Sequence, residues 1–271
     1  MQPNYASVIQ LARKAGAAIL EIYHRSEFTV IEKHDASPLT QADIASNHVL
    51  EAGLKDILDV PVISEETELP KQEQRAQWPL FWLIDPLDGT KEFIDRNGEF
   101  TINIALIEQG EPVFGLIYVP VSDHCYYGGD GKAFLKVGSE PASLLKTFSP
   151  LKRIREHDSI NLYASRRHAS EQLVHLCNRL EEKLAQVQLV SLGSSIKFAY
   201  LAAGQGDVYP RYGNVSEWDI AAGHAILRCV GGDILSKQYE SIQYGRKPSM
   251  IVPGFFAVSY VDFDWRPLLL T

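Results

Sequence analysis

The chain is poor in cysteine, and the cysteines that it has form no pattern. Cys125, Cys177 and Cys229 lie far apart in a sequence of 271 residues, and none of them belongs to a Cys-x-x-Cys pair. An odd number of isolated thiols does not build a disulfide framework. The sequence therefore predicts packed, reduced cysteines and a protein that works in a reducing compartment.

Positive charge is scarce as well. The 26 lysines and arginines are outnumbered by 34 aspartates and glutamates, which gives a formal net charge of −8 at pH 7. A protein that coats nucleic acid needs basic stripes on its surface, so this balance excludes nucleic acid as the expected partner. An anionic substrate would have to be met by metal ions and by a few local cations.

Long apolar runs are also missing. Charged residues occur from Arg13 onward, and no uninterrupted apolar block is long enough for a signal peptide or an integral membrane segment. The expected location is the cytoplasm; peripheral attachment to the cytoplasmic face of the inner membrane is left open, as is the choice between monomer and homodimer. Hydrophobic residues make up 45% of the chain, enough to fill one large domain or two packed lobes.

The most informative stretch is residues 82–93, which read Trp-Leu-Ile-Asp-Pro-Leu-Asp-Gly-Thr-Lys-Glu-Phe. The apolar residues 81–84 predict a short buried strand, and Pro86 predicts a turn at its end. Asp85 and Asp88 would then lie together at a strand terminus. Two carboxylates with the Leu87 carbonyl between them offer only oxygen ligands, which suit Mg²⁺.

The pair Gly89-Thr90 follows directly. If a helix begins there, the backbone N–H groups of its first turn would hold an anion such as phosphate beside the metal. The structural alternative is a turn whose aspartates satisfy only local amides. A cap of that kind needs one carboxylate, whereas this motif has two and a Gly-Thr pair after them, so function is the favoured interpretation.

Further acidic positions lie at predicted helix and strand ends. Thr40 followed by Asp43 is typical of a capping box at a helix start. The short apolar strand predicted at 61–66 ends in two carboxylates, Glu65 and Glu66, and a strand end is a natural place for a metal ligand. The next strand also ends in an acid, which suggests one shared site. Asp219 falls in the first turn of a helix of small residues, where it would interact with the helix dipole.

The order of the elements predicts two lobes. Residues 1–150 combine helices with an antiparallel run of strands, and residues 151–271 alternate strands and helices in an α/β pattern. The boundary is expected within 139–158, which has no clear period. At the strand-to-helix corner Leu192-Gly193-Ser194-Ser195, the hydroxyls either cap the helix or contact phosphate and ribose.

Three segments carry a resemblance to a known family. They are, in order, Glu65-Glu66, Asp85-Pro86-Leu87-Asp88-Gly89-Thr90 and Trp218-Asp219-x-Ala221-Ala222-Gly223. Together they resemble the inositol monophosphatase superfamily of Mg²⁺-dependent, lithium-sensitive phosphomonoesterases, over essentially the whole chain. The strings at 88–94, 96–101, 193–198 and 209–213 resemble the bacterial 3′(2′),5′-bisphosphate nucleotidases within it. The resemblance implies a mixed α/β (α+β) fold, an α-β-α-β-α layered sandwich of two lobes with the site between them.

The resemblance also implies roles for the matching positions. The metal ligands that it implies, for two Mg²⁺ ions with a third left open, are Glu65, Asp85, the Leu87 carbonyl, Asp88 and Asp219. The catalytic residues that it implies are Asp43, Thr90 and Glu65. Of these, the Thr90 hydroxyl and Asp43 would orient the attacking water. The substrate contacts that it implies are Glu65, Leu87, Asp88, Gly89, Thr90, Lys33, Gly193, Ser194, Ser195, Arg211 and Asp219.

Arg211 bears on the choice of substrate. Many inositol phosphatases carry an acid near the sugar at this position, whereas a guanidinium suits a second phosphate bidentately. Arg246 and Lys247 would either extend that phosphate pocket or lie as exposed loop charges. The implied reaction is hydrolysis of adenosine 3′,5′-bisphosphate to AMP and phosphate, with the sulfated form of that nucleotide as a second substrate. The alternatives are an inositol monophosphatase or sugar-bisphosphate phosphatase and, from another class, a non-catalytic protein-interaction module.

Overall fold

The computed structural model describes residues 2–32, 38–147, 149–166 and 171–270. Lys33, for which a phosphate contact was predicted, lies outside the described residues. The helices in these ranges are α1 Tyr5–Tyr23, α2 Gln41–Ile57, α3 Gln72–Arg75, α4 Thr90–Ile94, α5 Pro150–His157, α6 Glu171–Lys183, α7 Ile196–Ala202, α8 Glu217–Arg228 and α9 Arg266–Leu269. A 3₁₀ turn spans Pro120–Ser122.

The strands fall into two main sheets and two short pairs within the same ranges. The strands are β1 Val30–Glu32, β2 Pro38–Thr40, β3 Val62–Ser64, β4 Leu80–Asp88, β5 Thr101–Glu108, β6 Glu111–Val119, β7 His124–Gly129, β8 Lys132–Val137, β9 Ser143–Leu144, β10 Ser159–Ser165, β11 Gln186–Leu192, β12 Val208–Arg211, β13 Val215–Ser216, β14 Asp233–Leu235, β15 Ile251–Val252 and β16 Phe255–Val258.

Helix α1 forms as its apolar spacing predicts. Val8, Leu11 and Ile19 recur at helical spacing, and all of them are buried against one face of the larger sheet. The helix begins after Asn4, whose side chain accepts a hydrogen bond from the Ser7 N–H (3.2 Å). Helix α2 packs beside α1 on the same face.

The larger sheet has the order β3-β4-β5-β6-β7-β8-β9 in the described residues. Strand β3 is parallel to β4, and the other neighbours are antiparallel, so the predicted meander is confirmed. Because β3 and β4 run in the same direction, their carboxyl ends lie at the same edge of the sheet. Glu65 directly follows β3 at this edge, and Asp85 lies in the last part of β4.

The smaller sheet has the order β11-β10-β12-β16-β14 in the part of the chain that is described. Strands β11, β10 and β12 are parallel, and α6 and α7 make the crossovers between them. Strand β16 is antiparallel to both of its neighbours, β12 and β14. The predicted alternation of strand and helix in the second part of the chain is therefore confirmed from β10 to β12.

The two sheets and their helices form successive layers. Helices α1 and α2 cover the outer face of the larger sheet, and α6 and α9 cover the outer face of the smaller one. Helices α7 and α8 lie between the sheets, where Phe198 and Ile220 share one buried cluster with Leu83 and Phe255. This is the α-β-α-β-α arrangement expected from the resemblance, and the catalytic candidates lie where α8 meets both sheets.

The segment at residues 139–158, where the boundary between the lobes was expected, contains a helix that was not predicted. The sequence of residues 139–158 has no clear period, but the segment contains α5, which is short, largely exposed and has only two aliphatic residues, Leu151 and Ile154, to mark it. The division into lobes at 1–150 and 151–271 stays a prediction. Among the described helices, none is long and apolar enough to cross a membrane.

Candidate active site

Strand β4 continues to Asp88, although Pro86 predicted that it would end at residue 84. Asp85 pairs with Asn103 and Asp88 pairs with Thr101, so β4 advances three residues while β5 advances two, which is a β-bulge. The bulge accommodates Pro86, which has no N–H for the ladder. The predicted turn was therefore wrong, yet both aspartates lie together at the bulged end of the strand.

Three carboxylates meet at this end of β4. Oxygen atoms of Glu65, Asp85 and Asp219 lie within 4.8 Å of one another. The Glu65 N–H donates to the Ile84 carbonyl (3.3 Å), which extends the β3–β4 pairing to the acid. Asp219 arrives from the first turn of α8, where its Oδ2 accepts a hydrogen bond from the Ser216 N–H (2.8 Å). Three of the predicted metal ligands are thus assembled from distant segments.

Burial and mutual repulsion act against the negative charge of this group. Burial first, followed by Glu65 and Asp88, raises the pKa of Asp85 well above its usual range. Burial, with Asp88 and Glu65 next, has the same effect on the pKa of Asp219. Burial raises the pKa of Asp88 to about 6, although the Lys197 ammonium acts in the opposite direction. A divalent cation would relieve this repulsion, and a donor set of oxygens alone fits Mg²⁺.

A buried hydrogen-bond chain that the sequence did not predict orients Asp88. Asn103 Nδ2 donates to Asp88 Oδ2 (3.4 Å), and Ser195 Oγ donates to Asn103 Oδ1 (2.6 Å). Because Ser195 has only one hydroxyl proton, the Thr101 hydroxyl must be the donor in its contact with Ser195 Oγ (2.8 Å). The chain joins β5 of the larger sheet to the corner before α7. The Ser195 hydroxyl, predicted to contact the substrate, is engaged inside the protein.

The predicted pair Asp43 and Thr90 is brought together at the same edge. Asp43 Oδ2 accepts hydrogen bonds from the N–H (2.8 Å) and the hydroxyl (2.6 Å) of Thr40, which forms the predicted capping box of α2. Its other oxygen accepts the Thr90 hydroxyl (3.2 Å). The same Thr90 oxygen lies 3.4 Å from the Leu87 carbonyl. Asp43 therefore caps a helix and also holds the side chain of Thr90.

A cavity of about 320 Å³ opens beside the carboxylates, where the larger sheet, α7, α8 and the smaller sheet meet. The predicted site residues in its lining are Asp88, Gly89, Thr90, Gly193, Ser194, Ser195, Arg211 and Asp219. The lining also includes Lys197 and the aromatic rings of Phe198, Tyr209 and Phe255. The cavity thus has an acidic end, a basic wall and an aromatic wall.

Lys197 belongs to this wall, although no role was predicted for it. Its side chain is almost fully buried, and Nζ donates to the carbonyls of Leu192 (3.0 Å) and Ser194. The ammonium also lies 5.0 Å from the centroid of the Tyr209 ring. Burial lowers its pKa to about 8, and Asp88 opposes that shift. The available signal was a lone lysine within the otherwise apolar helix α7.

The corner at Gly193 is held closely against α4 and the loop that follows it. A Cβ at Gly193 would lie 2.5 Å from Glu92 Cγ, so no side chain fits at this position. The Gly193 N–H donates to Glu99 Oε2 (2.7 Å), and Nε of Arg166 donates to the same oxygen (2.8 Å). Ser194 adopts a left-handed φ of 41°. The corner therefore has a fixed shape before any ligand binds.

Of the three cations considered for the second-phosphate pocket, only Arg211 is part of the described lining of the active-site cavity. Arg211 lies in the cavity wall, and its Nε is buried with no hydrogen-bond partner among the described residues. Arg246 donates a hydrogen bond to the Ala76 carbonyl (2.9 Å). Its side chain lies beside Gly110 in the β5–β6 turn, at the end of β5 that is far from the bulge in β4. Arg246 and Lys247 are absent from the described lining of the cavity, which favours their interpretation as loop charges.

Comparisons with known proteins agree with this geometry. The sequence profile of the inositol monophosphatase family matches residues 1–254. The chain is 43% identical to the 3′(2′),5′-bisphosphate nucleotidase CysQ of Salmonella typhimurium, over 93% of this chain and 98% of that protein. It is 42% identical to the CysQ protein of Escherichia coli, over 92% of this chain and 96% of that protein.

Solved structures give the same result for the fold. The crystal structure of CysQ from Bacteroides thetaiotaomicron matches with a TM-score of 0.77 at 36% identity, over 94% of this chain and 96% of that one. The extragenic suppressor protein suhB from Bartonella henselae matches with a TM-score of 0.73 at 22% identity, over 93% of this chain and 92% of that one. The second likeness supports the fold alone.

Proposed function

The chain belongs to the inositol monophosphatase family, and we propose that it is a metal-dependent 3′(2′),5′-bisphosphate nucleotidase that hydrolyses adenosine 3′,5′-bisphosphate to AMP and phosphate. The observation that carries the proposal is one cavity whose acidic end adjoins Glu65, Asp85 and Asp219 and whose wall holds Lys197 and Arg211. A substrate with two phosphates can place one at the carboxylates and their metal ions and the other at the cations. Relatives that bear this activity in their names match over more than nine tenths of the chain.

The acidic end would hold the metal. Glu65, Asp85, Asp88, Asp219 and the Leu87 carbonyl would bind two Mg²⁺ ions between them. When bound, the ions would neutralise charge on the phosphate and lower the pKa of a nearby water. The raised pKa values of the aspartates support this assignment, because buried carboxylates that repel one another gain most from a shared cation.

Thr90 and Asp43 would orient the attacking water. The Thr90 hydroxyl donates its proton to Asp43, which leaves the hydroxyl oxygen free to accept a hydrogen bond from water. Asp43 fixes the direction of that hydroxyl and can take up the proton of the water through it. The capping-box contacts with Thr40 hold the Asp43 carboxylate in place while it does so.

The basic wall would bind the second phosphate. Arg211 presents a buried Nε that has no hydrogen-bond partner among the described residues, and a guanidinium binds phosphate bidentately. The Lys197 ammonium fixes the carbonyls of the Leu192–Ser194 corner and adds positive charge to the same cavity. The scissile phosphate would lie at the backbone N–H groups of Gly89 and Thr90, which line the same cavity.

A substrate panel tests the proposal directly. We expect kcat/KM for adenosine 3′,5′-bisphosphate to exceed that for inositol 1-phosphate by about 100-fold, because charged hydrogen bonds to the second phosphate contribute about 3 kcal/mol. The advantage over fructose 1,6-bisphosphate should be about 10-fold, because that substrate has two phosphates but no aromatic base to lie against Tyr209 and Phe255. Phosphate release in Mg²⁺ buffer measures all three substrates. Preference for inositol phosphate would assign a different phosphatase specificity, and no release from any of them would favour a non-catalytic interaction protein.

Arg211→Glu tests the second-phosphate contact. We expect KM for adenosine 3′,5′-bisphosphate to rise by about 100-fold, because an attractive guanidinium becomes a repulsive carboxylate. The KM for adenosine 3′-monophosphate, which lacks the second phosphate, should change by no more than about 3-fold. Arg246→Glu is the matched control, since Arg246 lies outside the cavity lining, and it should leave both values unchanged. Equal effects of Arg211→Glu on the two substrates would remove Arg211 from the phosphate site.

A further inference from the structure

A second cavity, of about 390 Å³, lies on the outer face of the smaller sheet. We call it the rear cavity, and its principal lining residues are His175, Arg179, Tyr212, Lys237, Phe256 and Leu270. Its volume falls within the range of about 300–1,000 Å³ typical of pockets that bind small organic molecules. None of the residues in its described lining was assigned a role in catalysis.

The rear cavity and the active-site cavity lie on opposite faces of the smaller sheet. Successive residues of a strand point to opposite faces of the sheet. In β16, Phe255 lines the active-site cavity, whereas Phe256 lines the rear cavity. Arg211 pairs with Phe255 and faces the active site, and the next residue, Tyr212, faces the rear cavity. A single layer of two strands therefore separates the two cavities.

The charge of the rear cavity favours an anion. Arg179 and Lys237 stand in its wall together with His175, and no aspartate or glutamate is part of its described lining. Arg179 Nη1 donates to the Leu268 carbonyl (2.8 Å), and Lys237 Nζ donates to the Tyr212 carbonyl (3.0 Å). Each contact fixes the side chain and uses one N–H of the five on the guanidinium or of the three on the ammonium. In a chain of net charge −8, this is a local concentration of positive charge.

The other part of the lining is apolar. Tyr212 and Phe256 meet edge to face with ring centroids 6.1 Å apart, and Leu269 and Leu270 complete the wall. Phe256 and Leu269 are buried, so this surface is preformed rather than assembled from mobile side chains. Cations beside aromatic and aliphatic side chains match a ligand that has an anionic group and a flat apolar body.

We propose that the rear cavity binds a small organic phosphate that carries an aromatic base, a nucleoside monophosphate being the representative of this class. The phosphate contacts Arg179 and Lys237, and the base lies against Tyr212. Lys237 also lies near Arg211 of the active site, with Gly254 between them. A Cβ on Gly254 would lie 2.5 Å from Lys237 Cε and 2.5 Å from the Arg211 carbonyl oxygen. The Lys237 side chain thus packs on the residue that precedes Phe255.

Calorimetric titration of the Mg²⁺-loaded protein with AMP tests the proposal. AMP should bind to the wild type in two classes of site, one at the active site and one in the rear cavity. Arg179→Gln/Lys237→Gln keeps hydrogen-bond donors but removes both charges, and it should weaken one class by about 100-fold. Lys14→Gln, an exposed position on α1, is the matched control and should retain both classes.

A second variant guards against a folding defect in the double substitution. His175→Glu places an acid at an exposed position of the rear wall, and it should weaken the same class by about 10-fold through charge repulsion. Hydrolysis of adenosine 3′,5′-bisphosphate should stay within about 2-fold of wild type in all of these variants, because none of the changed residues lines the active site. A single class in the wild type, or two unchanged classes in the rear-cavity variants, would overturn the proposal. Either result with normal turnover leaves the proposed nucleotidase function standing.

Discussion

Asp85→Asn lowers kcat for adenosine 3′,5′-bisphosphate by about 1,000-fold or more, which corresponds to about 4 kcal/mol of lost transition-state stabilisation. Asp85 is the most buried of the three clustered carboxylates and is one of the proposed Mg²⁺ ligands. Asparagine keeps the shape and the acceptor for the Leu87 N–H (3.0 Å) but removes the charge. The loss should therefore lie in metal binding and turnover, not in folding.

Thermal unfolding in EDTA supplies an independent readout of the same substitution. Burial and repulsion raise the folded-state pKa of Asp85 above its value in the unfolded chain. Stability from such a group is fully present below the unfolded pKa and is lost as the pH rises through the folded one. Burial also raises the pKa of Asp88 to about 6, which acts in the same direction. Metal-free wild type should consequently become less stable as the pH rises from about 4 to about 7, and Asp85→Asn should lose less. Each kcal/mol difference corresponds to about 2–4 °C in Tm for a protein of this size.

Two comparisons make the Asp85→Asn result specific. Asp56→Asn, at an exposed position of α2, should alter neither kcat nor the pH dependence of Tm. Addition of Mg²⁺ at pH 8 should raise the Tm of the wild type by preferential binding to the folded state, and the gain should be much smaller for Asp85→Asn. Activity near the wild-type level in Asp85→Asn would contradict the proposed metal site.

Thr90→Val is expected to lower kcat by about 100-fold to 1,000-fold with little change in KM, because it removes the hydroxyl that would orient the attacking water. Valine has nearly the same volume as threonine, so the packing of α4 is kept. The hydroxyl donates to Asp43 in the structure, and this contact is the one that the substitution deletes. Initial rates across a range of substrate concentrations separate the effects on kcat and KM.

Conservative and paired variants decide whether Thr90 acts through Asp43. Thr90→Ser restores the hydroxyl and should recover most of the activity. Asp43→Asn should cause a similar loss in kcat, and Asp43→Asn/Thr90→Val should cost little more than either single change, because the two residues act as one unit. Full additivity in this cycle would contradict a shared role in water activation.

Much of the fold could be predicted because its signals are local. The apolar period of α1 and the capping box of Thr40 and Asp43 each lie within a few residues, and the structure contains both. The motif from Asp85 to Thr90 indicated oxygen ligands beside a helix start, and α4 begins at Thr90. Its strand-and-turn interpretation was wrong, because a β-bulge depends on pairing with β5 and not on Pro86 alone.

Helix α5 was missed for a different reason. Four of its eight residues are charged and the helix is largely exposed, so only Leu151 and Ile154 supply an apolar signal, which is too short to be recognised. The short strands β13 to β16 likewise offer too few residues for a period to be recognised. Their pairing depends on neighbouring strands that are far away in the sequence.

The sequence by itself determined the acidic motifs, the helices that carry Asp43 and Asp219, and the likeness to a phosphatase family. The tertiary structure decided what those residues touch. It brings Ser195 within hydrogen-bonding distance of Asn103, 92 residues away in the sequence, and it places Lys197 and Arg211 in the lining of one cavity. It also set a second basic cavity behind Phe255. The physical reason is that local periods and caps depend on neighbours a few residues away, whereas hydrogen-bond chains and cavities depend on how the two sheets and α8 pack together.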